Sequence, residues 1–296
     1  MMKKVSLLGV PMDLGQARRG VDMGPSAMRY AGVIERLEKL GYDVRDYGNV
    51  VVDERSIEEA SHENLKNLSA VVNTSIRIRE TVQQMIDDEA FPLLLGGDHS
   101  MSIGTLAAIT ARHENLGVIW YDAHGDLNIP STSPTGNIHG MPLAVNLGLG
   151  HELLTNIGAK KLKPENIVLI GSRDLDEGER VLIKELGIKV FTMHEVDMLG
   201  MATVMEQTLQ HLAHTDGIHL SLDLDGLDPM ECPGVGTPVL GGLTYRESHL
   251  AMELLAASGR VTSAEFVEVN PILDERNKTA QVAVALIASL FGDQLL

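Results

Sequence analysis

Short runs of β-branched and leucine residues recur along the chain at residues 5–10, 42–46, 93–95, 118–121, 167–170, 189–192, 218–222 and 261–267. Apolar runs of this length, bounded by Gly, Pro, Asn and Asp, read as strands. They are apolar throughout rather than alternating, the pattern of strands buried on both faces. Between them the apolar positions shift to helical spacing. Pro25 follows Gly24 as a first helical residue, and Tyr30, Val33, Leu37 and Leu40 then mark one face until Gly41 closes the segment. Met201, Met205, Leu209 and Leu212 repeat the pattern. Strands alternating with helices of this length need crossover connections, which build parallel sheets covered on both sides. The pattern predicts a three-layer α/β/α sandwich with a mostly parallel central sheet of about eight strands, folded as a single domain over residues 1–296.

Composition narrows the field of partners. With 24 Lys and Arg against 41 Asp and Glu, the formal charge of −17 disfavours nucleic acid and anionic membrane surfaces. Cys232 is the lone cysteine, so neither an intrachain disulfide nor a thiolate-rich zinc cluster can form, and a reducing compartment is expected. Lys3 and Lys4 followed by an apolar run imitate a signal peptide, but Pro11 and Asp13 cut the run short. The longest apolar stretch, residues 282–291, falls far below the roughly 18 residues of a membrane span. The expectation is a cytoplasmic protein with no membrane partner.

Three acid and imidazole clusters each close an apolar run: Gly96-Gly97-Asp98-His99, Asp122-Ala123-His124-Gly125-Asp126 and Asp223-Leu224-Asp225-Gly226. Loops at strand C-termini are where open α/β sheets place ligands. Residues two apart in an extended segment share a side, so Asp122 converges with His124 and Asp223 with Asp225, and Asp126 joins after the turn at Gly125. A lone Asp-x-His carries little weight, whereas three such clusters at three strand ends carry a great deal. Four carboxylates crowded in one pocket would repel one another without cations. Two divalent ions cancel those four charges, and the oxygen-rich set with His99 and His124 suits manganese, with some Asp bridging.

Other candidates weigh less when taken alone. His139 is a proton carrier or a helix-start residue. Glu265 and Glu268, three apart in an apolar strand, face opposite ways; Glu268 is the choice for an active-site carboxylate and Glu265 for one satisfied structurally. Cys232 lacks an obvious base and reads as a bystander. Trp120 and the 14 Met read as core packing. The glycines between Gly9 and Gly24 form no G-x-G-x-x-G fingerprint, so a dinucleotide site has little support.

Gly-Gly-Asp-His-Ser at 96–100, Trp-Tyr-Asp-Ala-His-Gly-Asp at 120–126 and Ser-Leu-Asp-Leu-Asp-Gly-Leu-Asp-Pro at 221–229 resemble the ureohydrolase superfamily, which hydrolyses guanidino compounds to urea. Gly-Asn-Ile-His-Gly at 136–140, Pro-Gly-Val-Gly-Thr-Pro-Val at 233–239 and Glu-Val-Asn-Pro at 268–271 narrow the resemblance to the arginase family, in particular its bacillus-type members. The resemblance runs from Val5 to the C-terminus. It implies one Mn2+ on His99, Asp122, Asp126 and Asp223 and a second on His124, Asp122, Asp223 and Asp225, with Asp122 and Asp223 bridging. The implied reaction is hydrolysis of L-arginine to L-ornithine and urea, a metal-bridging hydroxide attacking the guanidinium carbon. Glu268 would orient that cation, His139 would shuttle a proton, and Asp126 would relay one to the leaving amine. By the same resemblance Asn128, Ser133 and Thr135 meet the α-carboxylate, Asp176 and Glu179 lie near the α-ammonium, and Thr237 completes the substrate-binding set. The chain would assemble as a homo-oligomer, a trimer or hexamer.

Departures from the family pattern at Ile129-Pro130, Thr135 and Met230-Glu231-Cys232 bear on affinity at the substrate end. The competing readings are an agmatinase or other ureohydrolase, a catalytically silent metal-binding homologue, and, from the clusters alone, a two-metal phosphoesterase. Asn128, Ser133, Thr135 and Asp176 favour arginine because agmatine lacks an α-carboxylate.

Overall fold

The computed structural model describes residues 3–55 and 65–295. Eight strands occupy the expected positions: β1 Lys4–Gly9, β2 Asp43–Asn49, β3 Phe91–Leu95, β4 Leu116–Tyr121, β5 Ile167–Ser172, β6 Lys189–Thr192, β7 Gly217–Asp223 and β8 Val261–Val267. They form one parallel sheet in the order β2-β1-β3-β8-β7-β4-β5-β6. Alternate strand residues feed two separate cores. Val5, Leu7, Ile119, Tyr121, Val168 and Ile170 pack with helices Gly24–Tyr30, Met201–His211, Tyr245–Ser258 and Lys278–Leu290. Leu8, Val118, Trp120, Ile167 and Leu169 pack with helices Leu68–Asp87 and Ser102–Arg112 on the other side. The three-layer α/β/α reading holds.

Two local expectations do not hold. The segment from Pro25 to Leu40 is two helices, Gly24–Tyr30 and Val33–Lys39, because Gly32 adopts φ 87°, a left-handed conformation no helix interior accepts. Tyr30 consequently lies off the buried stripe, 88% exposed, while Met28, Val33 and Leu37 are fully buried. The strands are not all apolar throughout either. β2 sits at the sheet edge and is mostly exposed, and β6 at the other edge is only partly covered, so burial on both faces applies to the inner six.

The order of the inner strands sets where chemistry can occur. After β3 the chain skips two places before laying down β4, and β7 and β8 later fill the gap. The C-terminal ends of β3, β8, β7 and β4 are therefore side by side where the strand order reverses, the position at which open α/β sheets hold ligands.

Candidate metal centre

Each cluster is shaped by a short-range device at its strand end. Beyond β4, Asp122 Oδ1 accepts a hydrogen bond from the His124 N–H at 2.7 Å, and at the end of β7 Asp223 Oδ1 accepts from the Asp225 N–H at 2.7 Å. This turn folds residue i+2 back beside residue i and aims both side chains to one side. Beyond β3, Asp98 accepts from the N–H groups of Ser100 at 3.0 Å and Gly15 at 2.8 Å, so His99 opens a turn of 3-10 helix rather than continuing the strand. Asp126 and Glu268 both have left-handed backbones, φ 52° and 66°. Such strain in non-glycine residues survives only where the surroundings enforce it. The Asp126 carbonyl accepts from Leu143 N–H at 3.1 Å and Ala144 N–H at 3.3 Å, at the start of helix Pro142–Asn146, and Glu268 N–H donates to Gly97 O at 2.8 Å.

These turns bring all six predicted ligands together. His99 Nδ1 lies 3.0 Å from Asp122 Oδ2, 2.9 Å from Asp126 Oδ2 and 3.3 Å from Asp223 Oδ2. His124 Nδ1 lies 3.4 Å from Asp122 Oδ1 and 3.3 Å from Asp225 Oδ2. His99 with Asp122 and Asp223, and His124 with Asp122 and Asp225, are each compact enough to hold a metal ion. Despite these distances, His99 Nδ1, Asp126 Oδ2 and Asp225 Oδ1 are buried without a hydrogen-bond partner. They converge on common points instead of pairing. Buried polar atoms left so are rare in folded proteins, and an ion is one of the standard explanations.

The electrostatics point the same way. Burial, then the charges of Asp225 and Asp122, drive the Asp223 carboxyl well above its usual range. Burial and the Asp122 charge push Asp126 to about 6. Burial opposes ionisation of Asp122 too, but the imidazoles of His124 and His99, 3.4 and 3.0 Å from its oxygens, outweigh it and hold that carboxyl low. Without cations the cluster cannot keep four carboxylates ionised. An oxygen-rich set with two imidazoles fits hard or borderline divalent ions.

Several supporting side chains are ones the sequence did not single out. Trp120, expected only to fill the core, donates its indole N–H to Asp122 Oδ2 at 3.0 Å and stacks on His99 with ring centroids 4.2 Å apart. Gln16 donates to Glu268 Oε2 at 3.0 Å. A Cβ on Gly236 would lie 2.6 Å from that same carboxylate oxygen, so only glycine lets the 233–239 loop close over Glu268. Arg173 donates to the carbonyls of Asp225, Gly226, Leu227 and Val239 at 2.7, 2.9, 3.2 and 2.8 Å, tying the Asp225 turn to that loop. Their partners are 2 to 252 residues away, beyond local pattern except for Trp120-x-Asp122.

A cavity of about 150 Å³ opens above the cluster, lined by His99, His124, Asp126, Asp223, Asn128, Ser133, Thr135, His139, Asp176, Glu179 and Thr237, while Asp122, Asp225 and Glu268 are buried behind that lining. Asn128 Nδ2 donates to Asp176 Oδ2 at 2.8 Å. Asp176 is the N-cap of helix Glu177–Leu186, so the helix-start reading and the cavity reading both describe it. Glu179 accepts from Leu127 N–H at 3.0 Å and Asp176 N–H at 2.9 Å, spending both oxygens on backbone that carries cavity residues. Ser133 Oγ and Thr135 Oγ1 accept from the N–H groups of Gly136 and Asn137. Thr237 Oγ1 donates to Asp225 Oδ2 at 2.8 Å. His139 lies in the short turn Ile138–Gly140 with Nδ1 3.3 Å from Glu268 Oε1, and Glu268 Oε1 also accepts from the His99 N–H at 3.0 Å. Cys232 is fully buried, and burial pushes its thiol up, as expected of a bystander.

Comparison with known proteins agrees with this geometry. A family model described as "Arginase family" matches residues 3–292. Over the whole of both chains, the sequence is 64% identical to an arginase of Bacillus caldovelox and 61% identical to an arginase of Bacillus subtilis strain 168. The native structure of the Bacillus caldovelox enzyme superposes with a TM-score of 0.98, again covering all of both chains. Agreement at that level leaves no strand end or loop of the cluster outside the match, and the chain belongs to the arginase family.

Proposed function

We infer that this chain hydrolyses L-arginine to L-ornithine and urea, using two manganese ions held as one on His99, Asp122, Asp126 and Asp223 and one on His124, Asp122, Asp223 and Asp225. The observation that carries the reading is the convergence of Asp122, Asp126 and Asp223 on His99 Nδ1 and of Asp122 and Asp225 on His124 Nδ1, at the foot of a cavity lined by His99, His124, Asp126 and Asp223. When bound, such ions supply Lewis acidity and lower the pKa of water towards neutrality. A nucleophile of that strength is needed because a guanidinium is resonance-stabilised and stays protonated.

The chain's own residues supply the rest. Glu268, held behind the cavity by the His99 N–H, Gln16 and His139, is the fixed carboxylate that would orient a guanidinium. His139 has Nδ1 on Glu268, which leaves Nε2 to carry a proton. Asp126, which lines the cavity beside His99, is placed to take up a proton and return it to the leaving amine. Asn128, Ser133 and Thr135 provide donors for an α-carboxylate and Asp176 an anion for the α-ammonium, with Glu179 holding that wall in place and Thr237 donating to Asp225 beside it. Of this wall, the donors Asn128, Ser133 and Thr135 would distinguish arginine from agmatine, which keeps the amine and lacks the carboxylate. In the same reading the chain is one domain working in the cytoplasm as a trimer or hexamer.

Urea release decides the matter. The chelator-stripped protein is expected to be silent, to regain activity on arginine with two equivalents of Mn2+ per chain, and to lose it again with Asp223→Ala. Preference for agmatine, or a metal-loaded protein without turnover on either compound, would overturn the assignment.

A further inference from the structure

Glu265 is a fully buried carboxylate on β8 with no part in the reaction above. Strand register explains its company. Trp120, Ser221 and Glu265 stand side by side on β4, β7 and β8, and one row lower His219 pairs with Ser263. Residues two apart on a strand share a face. The polar side chains of these two rows meet beneath Ser102, at the start of helix Ser102–Arg112. Glu265 Oε1 accepts from Ser102 Oγ at 2.5 Å and from Ser221 Oγ at 2.8 Å, and His219 Nε2 lies 3.4 Å away. His219 Nδ1 meets Ser263 Oγ at 2.8 Å. Ser221 Oγ is also 2.8 Å from His99 Nε2.

Proton counting along this line has one solution. A hydroxyl carries a single proton and a carboxylate can only accept. Ser221 therefore donates to Glu265 and accepts from His99, so His99 Nε2 must carry hydrogen. The nitrogen left to face Asp122, Asp126 and Asp223 is Nδ1, the one a cation would need bare. We propose that Glu265 is a positioning residue of the metal centre, fixing through Ser221 the tautomer and ring orientation of His99, while Ser102 and His219 hold Glu265 itself. Burial alone would drive Glu265 up, but His219 and Ser102, both in reach of its carboxylate, hold the carboxyl low, so it stays an anionic acceptor. The inference rests on the reading of His99 as a metal ligand.

The test is Mn2+ titration of the chelator-stripped protein by calorimetry, with free Mn2+ counted by electron paramagnetic resonance. Wild type taking up fewer than two equivalents defeats the metal reading and this inference with it. With two equivalents in wild type, Glu265→Gln, which keeps the shape and loses the charge, is expected to weaken one equivalent about tenfold and leave the other within twofold. The double variant Glu265→Gln/Ser221→Ala is expected to bind no more weakly than Ser221→Ala alone, because both changes cut one relay. Unchanged binding in Glu265→Gln, equal weakening of both equivalents, or losses that add in the double variant would overturn the inference while leaving the metal reading intact. Should Glu265→Gln fail to fold, Glu265→Asp retains the charge but draws it back from Ser221, and the same one-site loss is required of it.

Discussion

Replacing Trp120 with Phe tests whether the metal-bearing carboxylates are held by the core beneath them. The substitution keeps an aromatic ring in the place that stacks on His99 and removes one specific interaction, the indole N–H donated to Asp122 Oδ2 at 3.0 Å. A hydrogen bond to a charged group contributes about 1.5–3 kcal/mol. Asp122 keeps its other bond, from the His124 N–H to Oδ1, so the value belongs near the middle of that range. The residue is fully buried, and the space left by the missing ring adds a cavity cost of about 1 kcal/mol. The sum is about 3 kcal/mol of stability in the metal-free protein. Asp122 touches both histidines, so a loosened Asp122 should also weaken uptake of both Mn2+ equivalents, by about tenfold. Thermal unfolding of the chelator-stripped variant and Mn2+ titration measure the two quantities. A loss below about 1 kcal/mol with unchanged affinity would show that Trp120 only fills space, and the account of Asp122 as externally held would be wrong.

His139→Ala should keep both Mn2+ equivalents and lower kcat by about 100-fold with little change in KM, the size expected for loss of a positioned proton carrier; steady-state kinetics beside metal analysis checks it, and a kcat within threefold of wild type removes His139 from the mechanism. The buried carboxyl of Glu265 predicts an acid limb: its folded value of about 2 lies below the usual 4.5, so the folded state is stabilised above pH 4.5 and loses that support as pH falls towards 2. At 1.36 kcal/mol per unit the contribution is about 3 kcal/mol. The stability gap between metal-free wild type and Glu265→Gln should therefore close as thermal scans move from pH 6 towards pH 3, and a gap independent of pH would count against an ionised Glu265.

The strands were legible because a parallel sheet buried on both faces writes unbroken apolar runs into the chain, and the ligands because each stands at the end of such a run. What the sequence obscured has identifiable causes. The helix break at Gly32 depends on a single backbone angle inside a pattern that is otherwise periodic. β2 carries Asp43, Arg45 and Asp46, charges that an edge strand keeps in water, but which edge it takes is decided by the order of all eight. Ser221 and Glu265 are 44 residues apart and meet only through the register of β7 with β8; Gln16 reaches Glu268 across 252 residues. Trp120 was hidden differently: it is a core residue and a hydrogen-bond donor at once, and only the first role follows from its apolar neighbours.

The segment between Asn128 and Gly140 is pinned where it leaves and where it returns. Asn128 N–H donates to Gly140 O at 3.0 Å, Leu127 N–H is held by Glu179, and the Asp126 carbonyl is fixed by helix Pro142–Asn146. Changes inside a surface loop closed in this way cost little, since closure entropy grows only slowly with length. Insertions or exchanges between the two pins can thus re-cut the rim of the cavity while Asp126 stays put. The hydrolytic floor and the rim are separable parts, and exchanging the outward stretch 130–135 should alter which ligand is gripped without unseating the metal ligands.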